Sequence, residues 1–267
     1  MKNDFDLIIK KTYISKDVTI YPISDVHLGS LEHNRNEWIG FVKELEKDDN
    51  AYIILGGDLI NNSTRSSVGN IFDETMRPRE QKRLMVECLR PIKDKIIACV
   101  SGNHERRSIK DADDDPTYDI MAKLDLEDIY RPNIAFVKFQ IGQRPQSNKA
   151  INTYTICVTH GAGGGIYTGA AVNRNERFGN IIEGLDCLIV GHTHKGTISK
   201  PQKIVIDSYN NLVTMKPFTV VSMASWMSYG GYAAQKMLLP SDHARAEQPQ
   251  KIILSSEYNK KKITTIW

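Results

Sequence analysis

The stretch Val18-Thr19-Ile20-Tyr21-Pro22-Ile23, followed by Ser24-Asp25-Val26-His27, decides how the chain is read. Its first six residues form a short, β-branched apolar run of the kind that makes a buried strand, and the run ends on two side chains that ligate metals. The same pattern returns four times. Residues 52–55 run into Gly56-Gly57-Asp58, Ile96–Val100 into Ser101-Gly102-Asn103-His104-Glu105, residues 155–159 into His160-Gly161, and Cys187–Val190 into Gly191-His192-Thr193-His194. In open α/β sheets ligands bind outside the carboxyl ends of the strands, so five such ends are expected to bring these groups to one place. Alternate residues of an extended segment point the same way, which lets Asp25 with His27, and His192 with His194, each present two donors to one side. The glycines before Asp58, Asn103 and His192 let the chain turn sharply there. Of the seven histidines, five sit at these ends, and His33 and His243 fall in polar contexts that read as exposed.

Between the apolar runs lie segments with three-to-four residue spacing, Trp38, Phe41, Val42 and Leu45 and then Leu84, Met85, Cys88 and Leu89, which read as connecting helices. Strand and helix in alternation predict α/β layers with a largely parallel sheet in the first half. The last third reads as hairpins: 203–206 and 212–215 flank Asn210-Asn211, and 251–255 and 262–267 flank Tyr258-Asn259-Lys260. A second, mixed or antiparallel sheet follows, with residues from about 200 to 267 expected to complete it within a single domain spanning 1–267. The 267 residues, 40% hydrophobic, suffice for a sizeable core, and a net charge of +3 announces no polyanion partner. No run reaches the roughly 18 apolar residues of a membrane span, so the expectation is a soluble, cytoplasmic protein. Cys88, Cys99, Cys157 and Cys187 lie apart among apolar residues and read as buried free thiols.

The ordered set Asp25-x-His27, Gly57-Asp58, Gly102-Asn103-His104-Glu105, His160 and Gly191-His192-x-His194 resembles the calcineurin-like metallophosphoesterase superfamily. The resemblance covers about Val18 to His194 and lacks no motif. It implies a four-layer α/β/β/α sandwich, two face-packed β-sheets flanked by helices, with a dinuclear metal centre at one edge. By carry-over, Asp25, His27 and His194 would hold one cation, Asn103, His160 and His192 the other, and Asp58 would bridge them. His104 would not bind metal but would donate to the phosphate or the leaving oxygen. Two cations roughly 3.5 to 4 Å apart lower the pKa of a bridging water and clamp phosphate oxygens, so the nucleophile is hydroxide. Mixed oxygen and imidazole donors suit Mn²⁺, and also Fe, Zn or Mg, while the lack of thiolates disfavours a closed structural zinc site.

The substrate implied is a phosphate ester, and a phosphodiesterase acting on nucleic acid or nucleotides is the leading reading. The Asp25-Val26-His27-Leu28-Gly29 start is similar to repair nucleases of the superfamily, although the chain lacks room after His194 for their added DNA-binding domain. A phosphomonoesterase, including a phosphoprotein phosphatase, is the alternative, but Leu59-Ile60-Asn61-Asn62 replaces the Asp-Arg-Gly of protein phosphatases. A non-catalytic scaffold of the same fold is a third reading, disfavoured because no ligand is lost. Amidohydrolases and metallo-β-lactamase-like hydrolases place His-x-His in contexts this chain does not supply. Arg106 and Arg107 follow the His104 turn and are candidates for a phosphate contact. Glu105 is a candidate to orient the His104 imidazole. Arg65, Arg77, Arg79, Lys82 and Arg83 crowd the stretch 61–83, which either walls the cleft or carries a solvated helix face. The glycine-rich 161–165 reads as a mobile lip, 111–115 as an acidic helix start before Pro116, and Trp226, Tyr229 and Tyr232 as aromatic packing or a base contact. Oligomeric state is not legible.

Overall fold

A computed structural model describes residues 3–12, 16–65, 67, 71–142, 152–257 and 260–267. In chain order its elements are β1 (Ile8–Thr12), β2 (Val18–Ile23), α1 (Arg35–Lys47), β3 (Ala51–Leu55), α2 (Pro78–Leu89), β4 (Ile96–Val100), α3 (Glu105–Ala112), α4 (Pro116–Ala122), β5 (Tyr130–Arg131), β6 (Ile134–Ile141), β7 (Asn152–Thr159) and α5 (Thr168–Asn180). They continue with β8 (Cys187–Val190), β9 (Thr197–Ser199), β10 (Gln202–Asp207), β11 (Leu212–Pro217), β12 (Thr219–Ser222), α6 (Gly231–Gln235), β13 (Lys251–Leu254) and β14 (Ile263–Ile266).

Two six-stranded sheets form, with orders β14-β13-β2-β3-β4-β5 and β1-β6-β7-β8-β12-β9. In the first, β2 to β5 are parallel and β13 adds antiparallel to β2. In the second, parallel and antiparallel pairs mix. The pleat sorts each strand's side chains between two cores. Val18, Ile20, Ile54 and Val100 of the first sheet meet Val137, Phe139, Ile156, Val158 and Ile189 of the second across one buried layer. Tyr21, Ile23, Ile53 and Leu55 point the other way, against Trp38, Phe41 and Leu45 of α1 and Met85 and Leu89 of α2. On the far face of the second sheet, Leu188, Val190 and Val220 pack with Phe178 of α5 and with Phe218. The result is the expected four-layer α/β/β/α arrangement, two face-packed sheets flanked by helices.

The C-terminal third divides more widely than expected. Residues 219–222 enter the second sheet as β12, but β13 and β14 add to the first, where Ile252 pairs with Ile20. Both hairpins are antiparallel, and Tyr258 and Asn259 of the second turn lie outside the described residues. β10 and β11 join neither large sheet. The physical reason is chemical: Ile252 and Leu254 alternate inward and fit the inter-sheet core, whereas both faces of β10 and β11 remain largely in water.

Among the smaller expectations, Asp115 caps α4 by accepting from the Tyr118 N–H at 3.0 Å, with Pro116 in the first turn. Trp226 is core, stacked on Phe41 at 4.8 Å and edge-on to Trp38, while Tyr229 and Tyr232 are half exposed. Cys99, Cys157 and Cys187 are buried free thiols and Cys88 is half-buried. His33 is not exposed: its Nδ1 donates to the Val26 carbonyl at 2.8 Å, and burial pushes it down to about 4. His243 is half-buried too. Among the described residues no helix is long and apolar enough to cross a membrane.

Candidate metal centre

The carboxyl ends of β2, β3 and β4 in one sheet and β7 and β8 in the other lie at one edge of the sandwich, and their loops carry Asp25, His27, Asp58, Asn103, His104, His160, His192 and His194. Asp25, His27, Asp58 and His160 are almost wholly buried. Among the described residues, three groups have donor atoms within 4.8 Å of one another: Asp25 with His27 and His194, His27 with Asp58 and His104, and Asp58 with His160 and His192. Asp58 belongs to two of them. His194 Nε2 lies 3.1 Å from Asp25 Oδ1 and 3.2 Å from His27 Nε2, and His160 Nε2 lies 3.3 Å from Asp58 Oδ2. Asn103 Oδ1 receives His160 Nε2 at 2.9 Å and His192 Nδ1 at 2.7 Å.

The pairs Asp25/His27 and His192/His194 converge, but not through the pleat. All four residues are left-handed, with φ of 55°, 47°, 72° and 55°, and Asp58 joins them at 50°. L-residues with side chains occupy that region at a cost, so five donors of one pocket sharing it is strain concentrated where function needs it. Two glycines make the approach of the loops possible. Gly57, at φ 87°, lies against the backbone of Gly102, and a Cβ on Gly102 would fall 2.0 Å from Asp58 Oδ1.

Buried acceptors hold the donor loops. Glu105 does not touch the His104 imidazole; its carboxylate accepts the N–H groups of Asp58 (3.0 Å), Ile60 (3.1 Å) and Gly102 (3.0 Å), tying the β3 loop to the β4 loop. That corrects the expectation that it orients the imidazole, because the side chain turns back under the loops at the start of α3. Ser24, which the sequence reading passed over, donates to Asp25 Oδ2 at 2.6 Å, and the His192 N–H donates to the same oxygen at 2.9 Å. Asn62, also passed over, donates to the His104 carbonyl at 2.9 Å. The only signal of Ser24 in sequence is its place beside Asp25, and Asn62, four residues past Asp58, carries none. The Gly56 carbonyl accepts from His160 Nδ1 at 2.8 Å, which fixes the proton there and turns Nε2 to the pocket.

The substrate-side candidates separate. Arg106 donates to the Ser101 and Pro132 carbonyls at 3.2 Å each, so its guanidinium is spent on the scaffold. Arg107 stays beside the pocket, 3.1 Å from His104 Nδ1 and 3.3 Å from Ser67 Oγ. Of the basic residues in 61–83, Arg65, Arg77, Arg79 and Arg83 face solvent and Lys82 pairs with Asp114 and Asp119. The glycine-rich lip is strapped: Arg174 donates to the carbonyls of Ala162, Gly163 and Gly164, and Lys195 to those of Gly165 and Ile166.

Electrostatics follow from two carboxylates buried among imidazoles. Burial would raise both Asp25 and Asp58, but His194 and His27 beside the first, and His160 and His104 beside the second, hold them well below the usual carboxylate range. Burial would lower His160, yet Asp58, Asp25 and the Gly56 carbonyl raise it to about 10, and Asp25 raises His194. Burial, helped by His27 and Arg107 and opposed by Asp58, brings His104 down to about 3. Burial and the charge of Asp58 push Glu105 up to about 7. Protons therefore sit on His160 and His194 where cations would neutralise the same carboxylates. The donor set fits divalent metal on a further count: buried Asp25 Oδ1 faces His194 Nε2 at 3.1 Å and His27 Nε2 at 3.7 Å, and those two imidazole nitrogens, 3.2 Å apart, cannot both donate to each other.

A family profile described as calcineurin-like phosphoesterase matches residues 18–196, more than half of the chain and the whole span from β2 to the turn after His194. The chain belongs to that family. Membership implies hydrolysis of phosphate esters. Among solved structures, a conserved uncharacterized protein described as a predicted phosphoesterase, from Streptococcus pneumoniae, aligns at 13% identity. The alignment covers 93% of this chain and 98% of that one with a TM-score of 0.32, too loose a superposition to carry an argument. No curated protein matches the chain.

Proposed function

We propose that this phosphoesterase is a dinuclear phosphodiesterase acting on nucleotides or nucleic acid. Asp25, His27 and His194 would hold one divalent cation and Asn103, His160 and His192 the second, with Asp58 shared by both. The observation that carries this reading is that Asp58 lies in donor groups on both sides, 3.6 Å from His27 Nε2 and 3.3 Å from His160 Nε2. When bound, such a pair acidifies water and draws charge from phosphoryl oxygens; Mn²⁺ suits the donors best, and Fe, Zn and Mg remain compatible.

The chain's own contribution lies at the rim. Two partners compete for His104 Nδ1: the Asn61 carbonyl at 2.7 Å requires a proton on that nitrogen, and the Arg107 guanidinium at 3.1 Å requires a lone pair. The second arrangement leaves the proton on Nε2, which lies 3.9 Å from Asp58 Oδ2, so a neutral His104 can donate it to a phosphate or leaving-group oxygen. Arg107 thus acts with His104, through the tautomer or through a direct phosphate contact.

Preference for a diester is supported by what the pocket withholds. Arg106 and Lys195 spend their charges on backbone carbonyls, so among the described residues Arg107 is the one arginine left beside it, fewer cationic groups than a dianionic monoester calls for. The test is a panel with Mn²⁺: a bis-aryl phosphate, an aryl monophosphate, a dinucleotide, and single- and double-stranded DNA. Faster turnover of the bis-aryl ester and of a nucleotide diester than of the monoester is expected. A faster monoester moves the protein to the phosphomonoesterases, and no hydrolysis of any substrate removes the activity.

A further inference from the structure

β10 and β11 form a two-stranded ribbon outside both large sheets, and such a ribbon is marginally stable in water by itself. Its register places Ile204 opposite Met215 and Ile206 opposite Val213, so these four side chains share one face. They are 70%, 59%, 77% and 63% exposed, respectively. The other face carries Lys203, Val205, Asp207, Leu212, Thr214 and Lys216, and it is the face tied to the body. There Lys203 Nζ donates to the Ile182 carbonyl at 2.5 Å and lies over the Phe218 ring at 5.3 Å. The apolar face therefore points away from the protein, and its four facing side chains carry no charge and no hydrogen-bonding group other than a thioether.

We propose that this face is a self-association surface, on which two copies of the chain pack ribbon against ribbon about a twofold axis. The four side chains leave on the order of 500 Å² of apolar surface in water, the upper range of the largest patch on a typical monomer. Two such plates meeting bury about 1,000 Å², the floor of a specific interface, which corresponds to a reversible dimer rather than a permanent one. A second copy is the favoured occupant because the face carries no charge with which to select a foreign partner; beyond the four apolar side chains the register adds to it only Gln202 and Pro217. An uncharged plate meets its own duplicate without desolvating an ion, and a twofold contact repeats one patch on both subunits. Packed in this way, the two ribbons become a four-stranded, two-layer unit of the kind that is stable in water.

The test is sedimentation velocity on the full chain from about 1 to about 200 μM, a range that spans a micromolar dissociation constant. A concentration-dependent dimer is expected. Ile204→Asp and Met215→Asp each bury a carboxylate in the plate and should raise the dissociation constant on the order of 100-fold, with hydrolysis per chain unchanged. Val205→Asp, on the opposite face, should leave the dimer intact. Should the aspartates impair folding, judged by circular dichroism, Ile206→Ser with Met215→Ser gives the same readout more gently. A monomer throughout the range overturns the proposal, and so does a dimer indifferent to the Ile204 and Met215 substitutions or equally weakened by Val205→Asp.

Discussion

The two sheets deliver their strand ends to one pocket but secure them by different means. On the side of β2, β3 and β4 the ties are buried and point at the donors: Ser24 on Asp25, Glu105 on the Asp58 and Gly102 N–H groups, Asn62 on the His104 carbonyl. On the side of β7 and β8 the chain past His160 is strapped from outside, where Arg174 and Lys195 donate to consecutive carbonyls of the lip. A buried tie fixes the position of a ligand; an outer cationic strap fixes the shape of a rim. The first is expected to govern metal binding and chemistry, the second the fit of the substrate.

The strongest test of that division falls on the shared donor. Asp58→Ala should abolish occupancy of both cation sites by elemental analysis and lower turnover on the order of 10³-fold or more. A variant that keeps two metals per chain would show that Asp58 does not stand between them. His104→Ala should retain both metals and still lose turnover by about 10², as the loss of a proton or oxyanion donor does, and Arg107→Ala should reproduce part of that loss. Metal loss in His104→Ala would make the imidazole a ligand instead.

Glu105→Gln probes the buried tie itself. One amide oxygen cannot accept three N–H groups held by two carboxylate oxygens, and the new NH₂ faces a backbone donor. Metal affinity should fall 10- to 100-fold, the usual scale for a group that orients a ligand, and saturating metal should restore much of the turnover. Unchanged affinity with a lower melting temperature would reduce Glu105 to a fold-stabilising residue.

Removing metal should expose the charge balance. With His160 raised to about 10 in the metal-free pocket, its contribution to stability is fully present below its unfolded pKa of about 6.5 and is lost as pH rises through about 10. Chelated protein should therefore melt at progressively lower temperature from about pH 6.5 upward. The metal-loaded protein should show the opposite slope toward neutral pH, since imidazoles must shed protons to bind a cation. Parallel slopes would mean that protons and metal do not compete for the same nitrogens.

Much of this pocket was legible in the sequence because strand ends are marked by composition. An apolar run that stops at Asp58 or His160 announces both the strand and the direction in which its donor emerges. Conformation at the donor was not legible. Asp25-Val26-His27 reads as a continuing extended segment, and only coordinates reveal left-handed residues at both ends, because nothing in a side chain's identity states that its loop will be strained. Long-range ties were equally hidden. Glu105 sits beside His104 in sequence, yet its acceptors serve N–H groups as far back as Asp58, and Arg106 turns to the Pro132 carbonyl. Strand-rich stretches with alternating burial, such as β13, carry no mark of which sheet will accept them.

The smallest expected effect falls on the outer strap. Lys195 follows the donor His194 directly, but its ammonium reaches the Gly165 carbonyl at 3.1 Å and the Ile166 carbonyl beside it, so its work is on the lip. Lys195→Ala leaves Arg174 to hold the first half of the lip and frees the second half, next to the exposed Ile166 and Tyr167. A looser rim changes how a bulky ester is positioned before reaction, which raises KM by a few-fold, about two to five, with kcat and metal content preserved. Lys195→Arg, which can span the same two carbonyls, should recover most of the loss. If kcat and metal content fall in place of a rise in KM, Lys195 acts on His194 through the backbone. In that case the outer strap is part of the donor support, and the contrast between the two sides of the pocket disappears.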